Sequence, residues 1–120
     1  MKIEIKRLLN EQELNYYLKD VWINDYLKTA TFFDVIGILY ETNTIYYLVW
    51  YDSKIIQIPF LITEIVEEKI PIDWVISSKI GNIIIGPILL HEKDFFEKLS
   101  EGDQEIEAKF EDLLGKYFIK

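Results

Sequence analysis

The stretch that decides the fold runs from residue 32 to residue 66 and reads FFDVIGILYETNTIYYLVWYDSKIIQIPFLITEIV. Aliphatic β-branched and aromatic residues dominate it, and two short polar pairs, Thr42-Asn43 and Asp52-Ser53, interrupt it. β-Branched and ring side chains fit the pleated surface of a strand, and polar pairs with turn chemistry between such runs mark hairpins. The spacing therefore predicts a β-meander with strands from Phe33 to Glu41, Thr44 to Tyr51 and Lys54 to Val66. Pro59 within the third run argues for an edge position or a bulge, because proline cannot donate to a ladder. In the middle strand, Tyr46, Leu48 and Trp50 alternate with Ile45, Tyr47, Val49 and Tyr51, so neither face is polar. Such a strand is either central and covered on both sides, or it leaves an aromatic face, built on Tyr46, Tyr47, Trp50 and Tyr51, for another protein. The second case includes a homodimer through the sheet; core burial is the favoured reading.

Outward from the meander, helical patterns flank it. Lys2 to Leu8 reads as a first strand with Ile3 and Ile5 on one face. Asn10 followed by Glu13 is a capping-box pattern, and Leu14, Tyr17, Leu18, Val21 and Trp22 then recur at helical spacing. Beyond the meander, Ile70 to Ile76 and Ile83 to Leu90 each suit a further strand, separated by Ser77-Ser78 and Gly81-Asn82. The chain then returns to helix. Phe95, Phe96 and Leu99 share one face, with Gly102 as a stop. Asp103 caps a last helix with the stripe Ile106, Phe110, Leu113 and Leu114, for which Gly115 is the expected left-handed cap. The order is α+β: a mostly antiparallel sheet with an N-terminal helix and two C-terminal helices packed against it.

Composition bounds the rest. At 120 residues, 50% of them apolar, the chain suits one domain with a core of its own; no repeat or linker divides residues 1–120. Cysteine is absent, which removes disulfides, thiolate metal sites and a cysteine nucleophile. The start alternates charge with isoleucine and lacks the apolar core of a signal peptide; no stretch is long and apolar enough to span a bilayer. A cytoplasmic protein is the expectation.

Catalytic chemistry finds little to build on. His91 is the single histidine, and a serine triad would have to join it to Ser53, Ser77, Ser78 or Ser100, none of which lies in a Gly-x-Ser-x-Gly elbow. A plain loop or helix-start position between Leu90 and Glu92 is the simpler account of His91. No glycine-rich phosphate loop and no calcium loop is present, so neither a cofactor nor a metal is expected. Asp52 with Glu67-Glu68-Lys69 resembles the acid, acid-x-Lys signature of restriction-type metal nucleases, in which carboxylates hold Mg²⁺. That spacing arises by chance in a chain with 34 charged residues, and no basic surface exists here to hold a nucleic acid. A solvated connection explains it as well.

Charge carries more. The net charge is −8, yet residues 1–60 hold six basic and eight acidic groups, while nine acids and three lysines fall between Glu92 and Asp112. On the first C-terminal helix, Asp94, Glu97 and Glu101 project opposite the apolar stripe. On the second, Glu105 and Asp112 lie to one side of the polar face and Glu107 and Glu111 to the other. The bland account is a solvated face supported by acid-first i,i+4 pairs: Asp94 with Lys98, Glu105 with Lys109, Asp112 with Lys116. Against it, Glu111 and Asp112 would stand in a last turn before Gly115, where the helix dipole disfavours an acid. A residue that breaks a local rule hints at function.

Such a field repels duplex nucleic acid and anionic membranes and attracts a basic protein. The leading expectation is thus a non-enzymatic acidic binding protein that masks a basic protein partner. Bacterial immunity proteins for nuclease-type toxins, and inhibitors of nucleic-acid-handling enzymes, are similar in type. The partner-binding candidates are Asp94, Glu97, Glu101, Glu105, Glu107, Glu111 and Asp112. A structural or adaptor domain comes next, then a small metal-dependent hydrolase, then a small-molecule carrier with an aromatic-lined pocket under the sheet.

Overall fold

A computed structural model describes residues 1–16, 29, 31–41, 43–51, 54–79 and 81–118. The elements run β1 (Lys2–Ile5), α1 (Glu11–Tyr16), β2 (Phe32–Glu41), β3 (Thr44–Tyr51), β4 (Lys54–Pro59), β5 (Thr63–Glu67), β6 (Val75–Lys79), β7 (Asn82–Gly86), α2 (Phe95–Ser100) and α3 (Gln104–Phe118). Every strand pairing among the described residues is antiparallel. The fold is α+β, a mostly antiparallel sheet of seven strands with a short N-terminal helix and two C-terminal ones.

β2 is the spine. One edge pairs with β3; the other pairs with β1 through residues 32–34 and with β7 through residues 38–40. A register shift between Val35 and Gly37 lets one strand serve these two neighbours, since a bulge bends and twists its strand. The path is β4-β3-β2-β1-β5, with β6 attached through β7. β3 is central. Tyr46, Tyr47, Leu48 and Val49 are buried on both faces of it, so the core reading of the aromatic strand holds there. The turn into β3 uses Asn43 at φ 60°, a left-handed conformation that asparagine tolerates, and the Tyr40 hydroxyl donates to Asn43 Oδ1 at 3.2 Å.

Both hairpins of the meander form, but the third predicted strand is two. After Pro59 the chain makes a single 3-10 turn, Phe60–Ile62, and then crosses to pair with β1 as β5. Proline closes the β4 ladder because it lacks a donor, and Ile62 goes fully into the core. Later boundaries move as well. The predicted strand from Ile70 to Ile76 gives way to a turn at residues 72–73, and β6 starts at Val75 and takes in Ser77 and Ser78. Gly81, at φ 83°, turns it into β7. The strand predicted to run to Leu90 stops at Gly86, because Pro87 starts a 3-10 turn, Ile88–His91.

That turn packs close. A Cβ on Gly37 would stand 2.7 Å from Leu90 Cδ2, and one on Gly86 would stand 3.3 Å from the Gly37 Cα. The two glycines allow the backbones and Leu90 to meet.

At the N-terminus the capping box forms as predicted. The Asn10 N–H donates to Glu13 Oε1 and the Glu13 N–H to Asn10 Oδ1, each at 2.9 Å. The strand before it is shorter than expected and ends at Ile5. Tyr17, Leu18, Val21 and Trp22 lie outside the described residues.

At the C-terminus, Gly102 adopts φ 80° and ends α2, and the Ile106 N–H donates to Asp103 Oδ1 at 3.0 Å to start α3. Gly115 is not a left-handed cap. α3 runs through it to Phe118. A helical glycine costs about 1 kcal/mol relative to alanine, and Lys116 reaches Asp73 at 3.1 Å, a tertiary contact that favours continuing the helix. Ring stacking fixes both helices to one sheet face: Trp50 of β3 meets Phe110 edge-on at 4.9 Å, and Phe110 meets Phe95 at 5.8 Å.

Candidate functional site

The stripes of α2 and α3 decide which side chains face out. Phe95, Ile106 and Phe110 are buried, so the intervening acids turn to solvent, and all seven predicted partner-binding residues are exposed. Lys109 sits between two carboxylates, Glu92 at 3.4 Å and Glu105 at 3.5 Å. The hydrogen bond it donates to Glu92, and the attraction of both acids, raise the pKa of its ammonium above the usual lysine value. Lys116 is drawn to Asp73, in the turn between β5 and β6. Asp94, Glu97, Glu101, Glu107, Glu111 and Asp112 have no ion-pair partner among the described residues. The result is a band of uncompensated carboxylates over two consecutive helices.

One sequence expectation about this band needs correction. With α3 continuing to Phe118, Glu111 and Asp112 are mid-helix, so the dipole penalty that singled them out does not apply. Asp94 holds a left-handed φ of 58° before α2, and its carboxylate caps no N–H. It is surface charge without a local structural duty.

Carboxylates elsewhere behave differently. Glu13 closes the capping box and also receives both Arg7 guanidinium nitrogens at 2.6 Å. That bidentate bond first, and the Asn10 N–H next, lower its pKa to about 2. Here charge serves the fold.

The aromatic strand divides. Tyr46 and Tyr47 are buried, and burial pushes the Tyr47 hydroxyl above its usual pKa. Trp50 and Tyr51 are half-buried, Trp50 under α3 and Tyr51 edge-on to Phe33 at 5.8 Å.

His91 ends the second 3-10 turn. Ser77 Oγ lies 2.5 Å from its Nδ1, and its Nε2 lies 3.2 Å from the Gly86 carbonyl. The carbonyl can only accept, so Nε2 carries the proton and Nδ1 accepts from the serine hydroxyl. A backbone oxygen thus occupies the place a triad carboxylate would take, and the bonds tie the turn to the β6–β7 hairpin. Asp52 lies outside the described residues; Glu67 and Glu68 are exposed. Among the described residues no three His, Asp or Glu side chains converge as metal ligands, and no helix is long and apolar enough to cross a membrane.

No family model, characterised protein or solved structure matches this chain.

One surface escaped the sequence reading. Ile65, Val66, Ile70, Ile72, Val75 and Ile76 are all exposed, Ile72 fully so. β5 ends the strand path and β6 hangs from β7 alone, so among the described residues both are sheet edges. The apolar character of this stretch is plain in the sequence, and its pattern predicts strands without saying which lie at an edge. Edge position depends on long-range pairing, which local pattern does not encode.

Proposed function

We propose that this chain is a non-enzymatic acidic binding protein that masks a basic protein partner, acting in the cytoplasm as an immunity protein for a nuclease-type toxin or as an inhibitor of a nucleic-acid-handling enzyme. The observation that carries this reading is the band along α2, its two flanking residues and α3: six exposed carboxylates without ion-pair partners among the described residues. Unpaired like charges on neighbouring turns repel one another, so the band is a cost to the isolated fold that a cationic surface would relieve. Such a field accelerates encounter with a cationic target and rejects anionic ones, which is how a small domain can occupy a nucleic-acid-binding cleft. Binding is expected to be 1:1 and to weaken with salt. Reversing Glu105, Glu111 and Asp112 to lysine should abolish it; undiminished affinity in that variant defeats the acidic-surface mechanism.

A second reading, an adaptor domain within a protein assembly, draws on the uncovered apolar stretch from Ile65 to Ile76. Sheet edges of this kind pair readily with another chain. A stable oligomer or assembly lost on substitution of Ile76 would favour it over the first reading.

A further inference from the structure

Beneath the helices, at the β4 edge of the sheet, lies an open cleft of about 540 Å³ that the acidic band does not use. Its size is within the range of about 300–1,000 Å³ typical of small-molecule sites. Trp50 from β3 and Phe96 and Leu99 from α2 provide apolar walls, and Lys54, Gln57 and Ser100 provide the polar groups.

Gln57 is the anomaly. Register pairs it with Leu48 and pairs Ile55 with Trp50, so Gln57 lies on the helix-covered face, where Trp50 meets Phe110. Its neighbours along β4 are Ile55, Ile56 and Ile58. A leucine or isoleucine would suit that position, yet the chain places an amide there, and its Oε1 is buried with no hydrogen-bond partner. Leaving an acceptor unsatisfied costs about 1–3 kcal/mol. A local rule broken at that cost, in the wall of a cleft, marks a recognition group. Lys54 adds an exposed cation at the rim of the same cleft. It has no ion-pair partner among the described residues, in a chain whose acids outnumber its bases.

We infer that this cleft binds a small aromatic anion: a ring system against Trp50 and Phe96, an N–H or O–H donor that Gln57 Oε1 meets when its half-buried amide turns into the cleft, and a carboxylate or sulfonate for Lys54. The three requirements fix the chemical class. A purely apolar ligand leaves Gln57 and Lys54 unmet, and a cation is repelled by Lys54. This site is separate from the acidic band and stands or falls independently of the protein-masking function.

The probe is 1-anilinonaphthalene-8-sulfonate, which carries rings, one N–H and one sulfonate, and whose emission rises in apolar surroundings. Titration into the folded protein is expected to saturate at one molecule per chain. Lys54→Gln and Gln57→Leu should each weaken binding about tenfold, the size expected for one lost charge-assisted or buried hydrogen bond. Ser100→Trp, at an exposed position on the mouth, should block it without disturbing the fold. Gln57→Leu should also raise the melting temperature of the unliganded protein, because it removes an orphaned acceptor from beneath the helices. A glutamine kept only for structure would do the reverse. The inference is overturned if both polar variants bind the probe as tightly as the parent, or if binding survives Ser100→Trp. It is likewise overturned if the signal disappears on Ile76→Ser, which would assign the probe to the exposed edge.

Discussion

Two exposed parts of this molecule are built on opposite principles. The α2–α3 face turns its apolar stripe inward, onto Trp50 and the sheet, and shows solvent a dense set of carboxylates. The stretch from β5 to β6 shows solvent its isoleucines and valines, at strands that are sheet edges among the described residues. The helical face follows the burial rule and strains only against its own charge. The edge violates the burial rule outright. A surface that a fold tolerates and a surface that a fold would rather cover call for different tests, and the helix layer is the place to start.

Phe110 joins that layer to the sheet, in contact with both Trp50 and Phe95. Phe110→Ala should destabilise the protein by about 3–5 kcal/mol in urea denaturation, the range for a fully buried ring. A loss below about 1 kcal/mol would mean that the acidic helices are not fixed to the sheet as described. Next in size is Gly37→Ala. The added methyl would press on Leu90 and on the Leu48 side chain, and overpacking of this kind costs about 1–3 kcal/mol. An unchanged chemical-denaturation midpoint would show that the 3-10 turn and β2 can separate cheaply.

The N-terminal capping box supplies the contrast between carboxylates that fold the chain and carboxylates that do not. Asn10→Ala should cost about 1 kcal/mol, as caps generally do. Glu13, with a folded pKa of about 2 against an ordinary value of 4.5, contributes stability that is complete above the unfolded pKa and is lost as pH falls from that value toward 2. Glu13→Gln should flatten the pH dependence of stability in that window. If the variant and the parent lose stability in parallel between pH 4.5 and 2, the Arg7–Glu13 bond is not formed in solution.

The smallest effect belongs to the edge. Ile72→Ser and Ile76→Ser should change stability by no more than about 0.5 kcal/mol, since neither side chain is buried. They should nevertheless reduce self-association, read by sedimentation velocity at high protein concentration. A large stability loss would place these residues in a core.

Much of the architecture was legible in the chain. The alternation from Phe33 to Tyr51 located two strands and their turn, and Asn10 with Glu13 and Asp103 with Ile106 located two helix starts, because each of those signals is local. What failed was long-range. Nothing within Lys54 to Val66 reveals that the chain leaves β3 after Pro59 and crosses to β1, and nothing near Gly115 reveals Asp73 waiting for Lys116. The acidic band was found because charge can be counted and helical faces drawn. The cleft around Gln57 was missed because an amide in a strand looks ordinary until register and helix packing put it under a roof.

The central claim is that the carboxylates between residues 92 and 112 meet a cationic protein. Its most direct test is capture of native-host proteins on the immobilised chain, side by side with the variant carrying Glu105→Lys, Glu111→Lys and Asp112→Lys. A basic protein held in equal stoichiometry, released by salt and absent from the variant is the predicted result. A partner retained equally by both chains, or one whose footprint in hydrogen exchange avoids α2 and α3, would contradict it.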